Sequence, residues 1–296
     1  MTEWQAHTVV TEEYVDPAPV AALSAVLDSG APPVGAGDPL PPLWHWAALA
    51  RWPFSSAIGP DGHPARGSFL PPVELPRRMF AGGEVEFRGP IAVGSTVRRE
   101  AEVVSVTPKT GRTGSLVVVV VETRLYTDAD TPALVERQNL IYREAAATDP
   151  VDRTPPVIDP VGTPLIRTAA WEWDLRTDPT VLMRFSAATA NPHRIHYDWP
   201  YATGVEGYPG LVVHGPLMTI ALAETLRRER PEQTPTRLRH RNVAPLFCAE
   251  PARIRLRADA RPSADSTAEL VLAVLSGADT EHTVVTAELP GGRDHA

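Results

Sequence analysis

Alternating apolar and polar positions fill two long parts of the chain and predict antiparallel sheet in both. In the first part, strands are predicted over residues 8–14, 83–87, 96–107, 115–126 and 134–143. In the second part, strands are predicted over residues 165–173, 236–247, 253–260, 267–276 and 283–289. The gaps between these segments hold Gly, Pro, Asp and Thr, which are typical turn residues.

Three segments instead carry helical apolar spacing together with capping residues. Asp16 precedes a helix predicted over residues 17–27, which Gly30 is expected to stop. Asp178 and Pro179 open a second helix that extends to Ala188. A third, largely apolar helix begins at Pro216 and extends to about residue 229, and its pattern predicts burial on more than one face. Helix followed by antiparallel strands thus occurs twice, which indicates an α+β protein with two similar halves.

Breaker-rich segments suggest how the chain is divided. Residues 147–164 are rich in Pro and Asp and are interpreted as a linker between an N-terminal domain, 1–146, and a C-terminal domain, 165–296. Residues 53–76 form a long segment rich in Gly, Pro and Ser, and a loop of this length within a domain is typically functional or poorly ordered.

Composition narrows the class of protein. The 296 residues include 28 basic and 36 acidic side chains, a net charge of −8, and contain no basic run, which argues against a nucleic-acid partner. Cys248 is the single cysteine, so an intrachain disulfide is excluded. The first residues lack the features of a signal peptide, and the longest apolar run, 116–121, is too short to span a bilayer. We therefore expect a cytoplasmic protein without a membrane partner.

Residues that carry chemistry crowd into one stretch, 185–217. Asn191, His193, Arg194, His196, Tyr197 and Asp198 fall within eight positions. Downstream, Gly215 directly precedes Pro216, so its backbone N–H is expected at the positive end of the following helix. Such a group suits a carbonyl oxygen that develops negative charge. His196, titratable near neutral pH, is the candidate acid/base group beside it.

This stretch resembles the MaoC-like, or hydratase-2, dehydratases. Their pattern, roughly GDxNPxHxDxxYA followed by an apolar-apolar-HG block, matches HYDWPYA at 196–202 and LVVHG at 211–215. The resemblance implies a double hot-dog fold, in which each of two units wraps a curved antiparallel sheet around a long helix, with the two sharing one sheet. It also implies enoyl-thioester hydration or (R)-3-hydroxyacyl-thioester dehydration, with His196 as catalytic acid/base and the Gly215 N–H on the thioester oxygen. The first half contains no comparable motif.

The match departs from the family pattern at the catalytic aspartate. In the ungapped register Asn191 occupies that position; a two-residue shift instead places Thr189 there, and neither register supplies a carboxylate. Because 196–202 fits well, the ungapped register is preferred and Asn191 is a candidate to hold water by hydrogen bonds. The NPHRIHYD variant resembles the subgroup that contains mesaconyl-CoA and itaconyl-CoA hydratases and fungal-type hydroxyacyl-thioester dehydratases.

The remaining site predictions concern substrate binding. Arg194 is a candidate partner for the carboxylate of a dicarboxylic acyl group or for a coenzyme A phosphate, with a structural ion pair as its alternative. Arg77 and Arg78 are candidates for the coenzyme A phosphates, with a solvated pair at the start of a strand as their alternative. Tyr197 and His214 lie within the two motifs, Gly210 directly precedes the second, and these three complete the substrate-binding set.

Cofactors, partners and alternatives complete the predictions. HxxH at 193–196 lacks the companions of a zinc site, so no metal and no cofactor is expected. The expected partner is an acyl thioester of coenzyme A or acyl carrier protein, and pairing into a homodimer is left open. The alternatives are a hot-dog acyl-CoA thioesterase and a non-catalytic subunit that binds acyl thioesters.

Overall fold

Strands from both halves of the chain join in one antiparallel sheet. The computed structural model describes residues 4–111, 114–145, 154–257 and 268–290. Within them the strands are β1 (Val9–Tyr14), β2 (Arg77–Phe87), β3 (Thr96–Gly111), β4 (Gly114–Tyr126), β5 (Pro132–Arg143), β6 (Leu165–Ala169), β7 (Glu172–Leu175), β8 (Arg237–Asn242), β9 (Ala252–Leu256), β10 (Ala268–Ser276) and β11 (Thr280–Leu289). The helices are α1 (Pro17–Leu27), α2 (His45–Ala48), α3 (Pro179–Ala188) and α4 (Gly215–Glu229).

The sheet order is β1-β3-β4-β5-β2-β8-β11-β10-β9-β7-β6, so the two halves meet where β2 pairs with β8. The register at this seam sets Glu84 opposite Arg239 and Glu86 opposite Arg237. Arg239 Nε lies 2.8 Å from Glu84 and Arg237 Nη2 lies 3.1 Å from Glu86. Opposite charges across neighbouring strands stabilise this register.

Local capping explains where the predicted helices begin. The Asp16 carboxylate accepts a hydrogen bond of 2.8 Å from the Ala18 amide at the start of α1. Asp178 accepts a 2.7 Å hydrogen bond from the Val181 amide at the start of α3. Both helices also have proline in their first turn, where a missing N–H costs nothing. The expected helix starts are therefore confirmed.

A continuous apolar core extends through both halves. α4 contacts β10 and β11 of its own half and β2 of the other, and its residues from Leu217 to Leu226 are all buried. Val85 on β2 and Leu238 on β8 are both completely buried and belong to the same core. Since one core serves both halves, the antiparallel sheet and the helices form one structure.

Several predicted strands have different limits. Residues 165–173 are two strands, since the chain turns at Trp171 with a φ of 59°. The strand predicted over 236–247 ends at Asn242 because Val243 leaves the ladder and donates to the His282 carbonyl at 2.7 Å. β2 begins earlier than predicted, at Arg77.

Parts of three predictions fall outside the described residues. They are positions 146–153 of the predicted domain boundary and linker, the end of the strand predicted over 253–260, and the start of that predicted over 267–276. The division into domains stays a prediction. No helix among the described residues is long and apolar enough to cross a membrane.

Candidate active site

A cavity of about 530 Å³ lies between the two halves and collects most of the predicted site residues. Its wall from the first half includes His63, Arg77 and Arg78, and its wall from the second half includes Asn191, His193, His196 and Gly215. The apolar side chains of Leu125, Leu140, Ile141 and Met218 also contribute to the lining. A mostly apolar cavity with a few polar groups is typical of an acyl-binding site.

The segment after α3 presents the first polar groups. The Asn191 side-chain oxygen accepts a 3.2 Å hydrogen bond from the His193 amide, which shapes the turn that follows. A short 3-10 turn, Arg194–His196, then brings His196 to the cavity wall. The carbonyl of Val212 lies 2.7 Å from His196 Nδ1. Because a carbonyl only accepts, Nδ1 carries the proton, and Nε2 is left as the basic nitrogen.

His196 is a neutral imidazole in this setting. Its side chain is 5% exposed. Burial lowers its pKa to about 3 against the opposing hydrogen bond to Val212, and a proton on His63 would act in the same direction as burial. The ring of His214 lies beneath it with centroids 3.6 Å apart. His214 is completely buried, its pKa is lowered by burial and by His196, and its Nε2 lies 2.8 Å from Ser186 Oγ. The pair therefore places a neutral base at the cavity wall.

Gly215 is the first residue of α4 and lines the same cavity. The N–H of a first helical residue has no acceptor within the helix and lies at the positive end of its dipole. A Cβ atom at this position would come within 2.5 Å of Asn242 Nδ2. Asn242 is itself fixed by a 2.8 Å hydrogen bond to the Phe80 carbonyl and another from Thr283. Glycine is therefore required here by close packing as well as by position.

Two arginines on β2 differ in their surroundings. The Nε atom of Arg77 lies 2.6 Å from the Glu206 carboxylate, and its guanidinium stacks over the Tyr208 ring at 5.0 Å. Arg78 lines the cavity but forms no ion pair within 4.0 Å among the described residues. Burial lowers its pKa, against the opposing influence of the Tyr142 hydroxyl and the Asp61 carboxylate. Arg78 is therefore a partly buried cation available to a bound anion.

Four other predicted substrate contacts do not line the cavity. Arg194 pairs with Asp198 at 2.8 Å, donates to the Pro60 carbonyl at 3.0 Å and lies over the Tyr201 ring. This is the structural ion pair that was its alternative. Tyr197 is half-exposed and donates to the Pro192 carbonyl. Gly210 packs against Trp199, and His214 supports His196 from behind.

The sequence did not identify two residues of the cavity region, Asp61 and His63. They belong to the long Gly- and Pro-rich loop of the first half. The unusual length of that loop was the one feature of the sequence that indicated a functional role. His63 Nδ1 lies 3.0 Å from the Asp61 carboxylate, and its ring lies 4.1 Å from that of His193.

Asp61, His63 and His193 are also the group of described residues that could hold a metal ion, with ligand atoms within 4.8 Å of one another. However, both hydrogen bonds from His63 already occupy the Asp61 carboxylate. The cation of Arg78 also acts on His63. These surroundings favour a hydrogen-bonded pair over a cation site.

Comparison with known proteins finds relatives along most of the chain. The model of the family "Hydroxyacyl-thioester dehydratase type 2" matches residues 43–248. A mesaconyl-C(4)-CoA hydratase of Chloroflexus aurantiacus is 41% identical over 266 residues, 89% of this chain and 90% of the relative. A mitochondrial hydroxyacyl-thioester dehydratase type 2 of Schizosaccharomyces pombe is 36% identical over 84 residues, 28% of each chain.

Solved structures show the same fold. HtdX of Mycobacterium tuberculosis superposes with a TM-score of 0.62 at 21% identity, covering 95% of this chain and 99% of HtdX. A second protein of Mycobacterium tuberculosis, described as a double hot-dog fold, gives a TM-score of 0.58 at 15% identity, with 98% and 96% covered. The expected α+β double hot-dog architecture is therefore confirmed.

Proposed function

The chain belongs to the family of type 2 hydroxyacyl-thioester dehydratases, and on that basis we propose that it adds water reversibly to an α,β-unsaturated acyl-CoA that carries a free carboxylate. The observation that carries the proposal is one shared cavity. It is lined by a neutral His196, whose proton is fixed on Nδ1, and by the first residue of α4, Gly215. In such an enzyme the double bond is hydrated beside a polarised thioester.

The chemistry requires an activated water, a stabilised enolate oxygen and a proton at C2. His196 Nε2 accepts a proton from the water as the water oxygen bonds to C3. The π electrons of the C2–C3 bond move toward the thioester, and the Gly215 N–H holds the resulting oxyanion at the start of α4. Asn191 holds the water and the product hydroxyl by hydrogen bonds. A proton then reaches C2, which completes the addition of one water molecule.

Arg78 supports a dicarboxylic substrate. A partly desolvated guanidinium without a carboxylate within 4.0 Å is stabilised when a bound carboxylate forms charge-assisted hydrogen bonds with it. The relative that is 41% identical is named for mesaconyl-C(4)-CoA, the thioester of a dicarboxylic acid. We therefore assign Arg78 to the free carboxylate of the acyl group instead of a coenzyme A phosphate.

Arg77 and Arg194 do not fit that role. Glu206 already neutralises Arg77, and Asp198 already neutralises Arg194 outside the cavity. Arg77 and Glu206 join β2 to the segment after the π-helical turn Tyr201–Val205, so their pair shapes the cavity wall between the halves. Both arginines are better explained as structural residues.

The proposal is tested by supplying the purified chain with mesaconyl-C(4)-CoA, crotonyl-CoA and a longer enoyl-CoA. We expect loss of the enoyl-thioester absorbance, fastest with the carboxylated substrate, and loss of that activity in His196→Gln by a factor of about 10²–10⁴. Release of free coenzyme A thiol without hydration would support a thioesterase. Binding of all three compounds without turnover would support a non-catalytic subunit.

A further inference from the structure

The loop at residues 59–63 of the first half packs against the motif segment of the second half. The amide of Arg194 donates a 3.0 Å hydrogen bond to the Asp61 carbonyl, and the Arg194 side chain donates to the Pro60 carbonyl. Gly62 has a φ of 91°, and a side chain there would collide with the Pro192 carbonyl. The chain thus fixes the segment 59–63 against the loop that carries Asn191 and His196.

Within this segment Asp61 holds His63 in one orientation. The Asp61 carboxylate accepts a 2.9 Å hydrogen bond from the His63 amide and a 3.0 Å hydrogen bond from Nδ1 of its ring. Since a carboxylate only accepts, Nδ1 of His63 carries a proton and Nε2 is left for other contacts. His63 lines the cavity, as do His193 and His196.

Such a pair has the form of an acid/base group. A carboxylate on Nδ1 of a histidine orients the ring and stabilises the imidazolium that forms when Nε2 takes a proton. His196 has no carboxylate in that position, because its Nδ1 faces the Val212 carbonyl. Asn191 cannot transfer a proton either. Asp61 and His63 therefore supply the carboxylate-supported acid/base group that the motif itself lacks.

We infer that His63, positioned by Asp61, is the acid that gives C2 its proton, and that a substrate carboxylate on Arg78 prepares it for this role; the inference rests on the proposed function. His63 enters the step as the imidazolium and donates its Nε2 proton to C2. His196 takes one proton from water, and the remaining hydroxyl bonds to C3. The two histidines then exchange one proton through solvent, which restores the starting state.

The charges around His63 explain the coupling to Arg78. The pKa of His63 is lowered to about 4: burial and the positive charge of Arg78 lower it most, Arg66 also lowers it, and Asp61 opposes them. Against burial, the His63 hydrogen bonds hold the pKa of Asp61 well below its usual range, so Asp61 is a carboxylate. A substrate carboxylate that neutralises Arg78 removes the second-largest of the influences that keep His63 deprotonated. The substrate thereby raises the pKa of its own proton donor.

The experiment compares His63→Gln and Asp61→Asn with wild type, using His7→Gln as the control at an exposed histidine of the same half. With mesaconyl-C(4)-CoA, His63→Gln is expected to lower kcat by about 10²-fold or more while KM changes little. His7→Gln is expected to match wild type. Thermal unfolding of each variant separates a loss of activity from a loss of folding.

The pH profile separates positioning from structure. A proton donor is lost as pH rises through its pKa, so the basic limb of kcat reports His63 in the complex. Asp61→Asn removes the counter-charge of the imidazolium, lowers that pKa, and is expected to move the basic limb to lower pH. A merely structural Asp61 would lower kcat without moving the limb.

Three results would overturn the inference while leaving the proposed function intact. They are full activity in His63→Gln, an unmoved basic limb in Asp61→Asn, and activity that a chelator removes and a divalent cation restores. Failure of wild type to hydrate any of the enoyl thioesters would instead remove the proposed function, and this inference with it.

Discussion

His196 and His214 stack face to face, with ring centroids 3.6 Å apart and planes inclined by 18°. Two imidazolium ions cannot share this position, and burial already lowers the pKa of both rings. The stack therefore keeps His196 neutral and its ring flat against a rigid support, while Val212 fixes its tautomer. The segment 212–215 thus both orients the base and begins the helix that carries the oxyanion donor.

Asn191→Asp is expected to keep or raise hydratase activity. The new carboxylate retains the acceptor that binds the His193 amide and adds a titratable group at the cavity wall. Its negative charge also raises the pKa of the nearby histidines. Steady-state rates for Asn191→Asp and Asn191→Ala test this: the aspartate variant should equal or exceed wild type, and the alanine variant should fall below it. Complete inactivity of Asn191→Asp would contradict the ungapped motif register.

Gly215→Ala is expected to lower kcat by up to about 10²–10³-fold, the loss that removal of an oxyanion donor typically causes. The added methyl group collides with Asn242 and shifts the first turn of α4. Removing the obstructing amide in Gly215→Ala/Asn242→Ala should restore part of kcat. Gly204→Ala is the matched control, since nothing lies within 4 Å of a Cβ atom at that position. Equal kcat for Gly215→Ala and wild type would show that this amide is not used.

Arg78→Met is expected to reverse the substrate preference. The variant loses the charge that binds a free carboxylate, so kcat/KM for mesaconyl-C(4)-CoA should fall by about 10-fold or more, corresponding to a lost charge-assisted hydrogen bond of about 1.5–3 kcal/mol. Turnover of crotonyl-CoA should persist or rise because the charge that opposes protonation of His63 is gone. Arg88→Met, at an exposed ion pair just beyond β2, should leave both rates unchanged. Parallel losses for both substrates would argue against carboxylate recognition.

His240→Leu is expected to make the protein less sensitive to acid. His240 is 4% exposed, both of its ring nitrogens lack hydrogen-bond partners among the described residues, and burial lowers its pKa to about 4. As pH falls below 6.5, the unfolded state takes up this proton first, so the group destabilises the native state progressively until pH reaches about 4. The full effect is about 3 kcal/mol.

Denaturant unfolding at about pH 7 and about pH 5 measures this effect. Wild type should lose more unfolding free energy between the two conditions than His240→Leu does. The variant should still lose some unfolding free energy, because the buried histidines of the cavity remain. His7→Leu, at an exposed site, should behave like wild type; identical acid sensitivity of all three proteins would refute the assignment.

Local signals in the sequence predicted much of the fold. Asp16 and Asp178 mark helix starts because a short acidic side chain satisfies amides within three residues, a relationship that sequence order preserves. Strand ends were harder to predict. The turn at Trp171 uses a positive φ at a bulky residue, and residues 236–247 read as one strand although the pairing with β11 ends at Asn242.

The candidate site was predictable only within its own half. His196, Asn191 and Gly215 belong to a contiguous stretch, and the cavity brings them together as expected. His63 lies more than a hundred residues earlier in a loop without periodicity, and only the packing of segment 59–63 on the second half places it there. The role of Arg194 was likewise decided by Asp198 and Pro60, which set its direction in space.

Because β2 pairs with β8, the two halves of the chain contribute different groups to one cavity. β2 carries the cation that we assign to the acyl group, whereas the residues that we assign to water activation follow α3 and begin α4. Substitutions at Arg78 on β2 are therefore expected to change which acid is bound and, through the charge that acts on His63, the delivery of the proton as well.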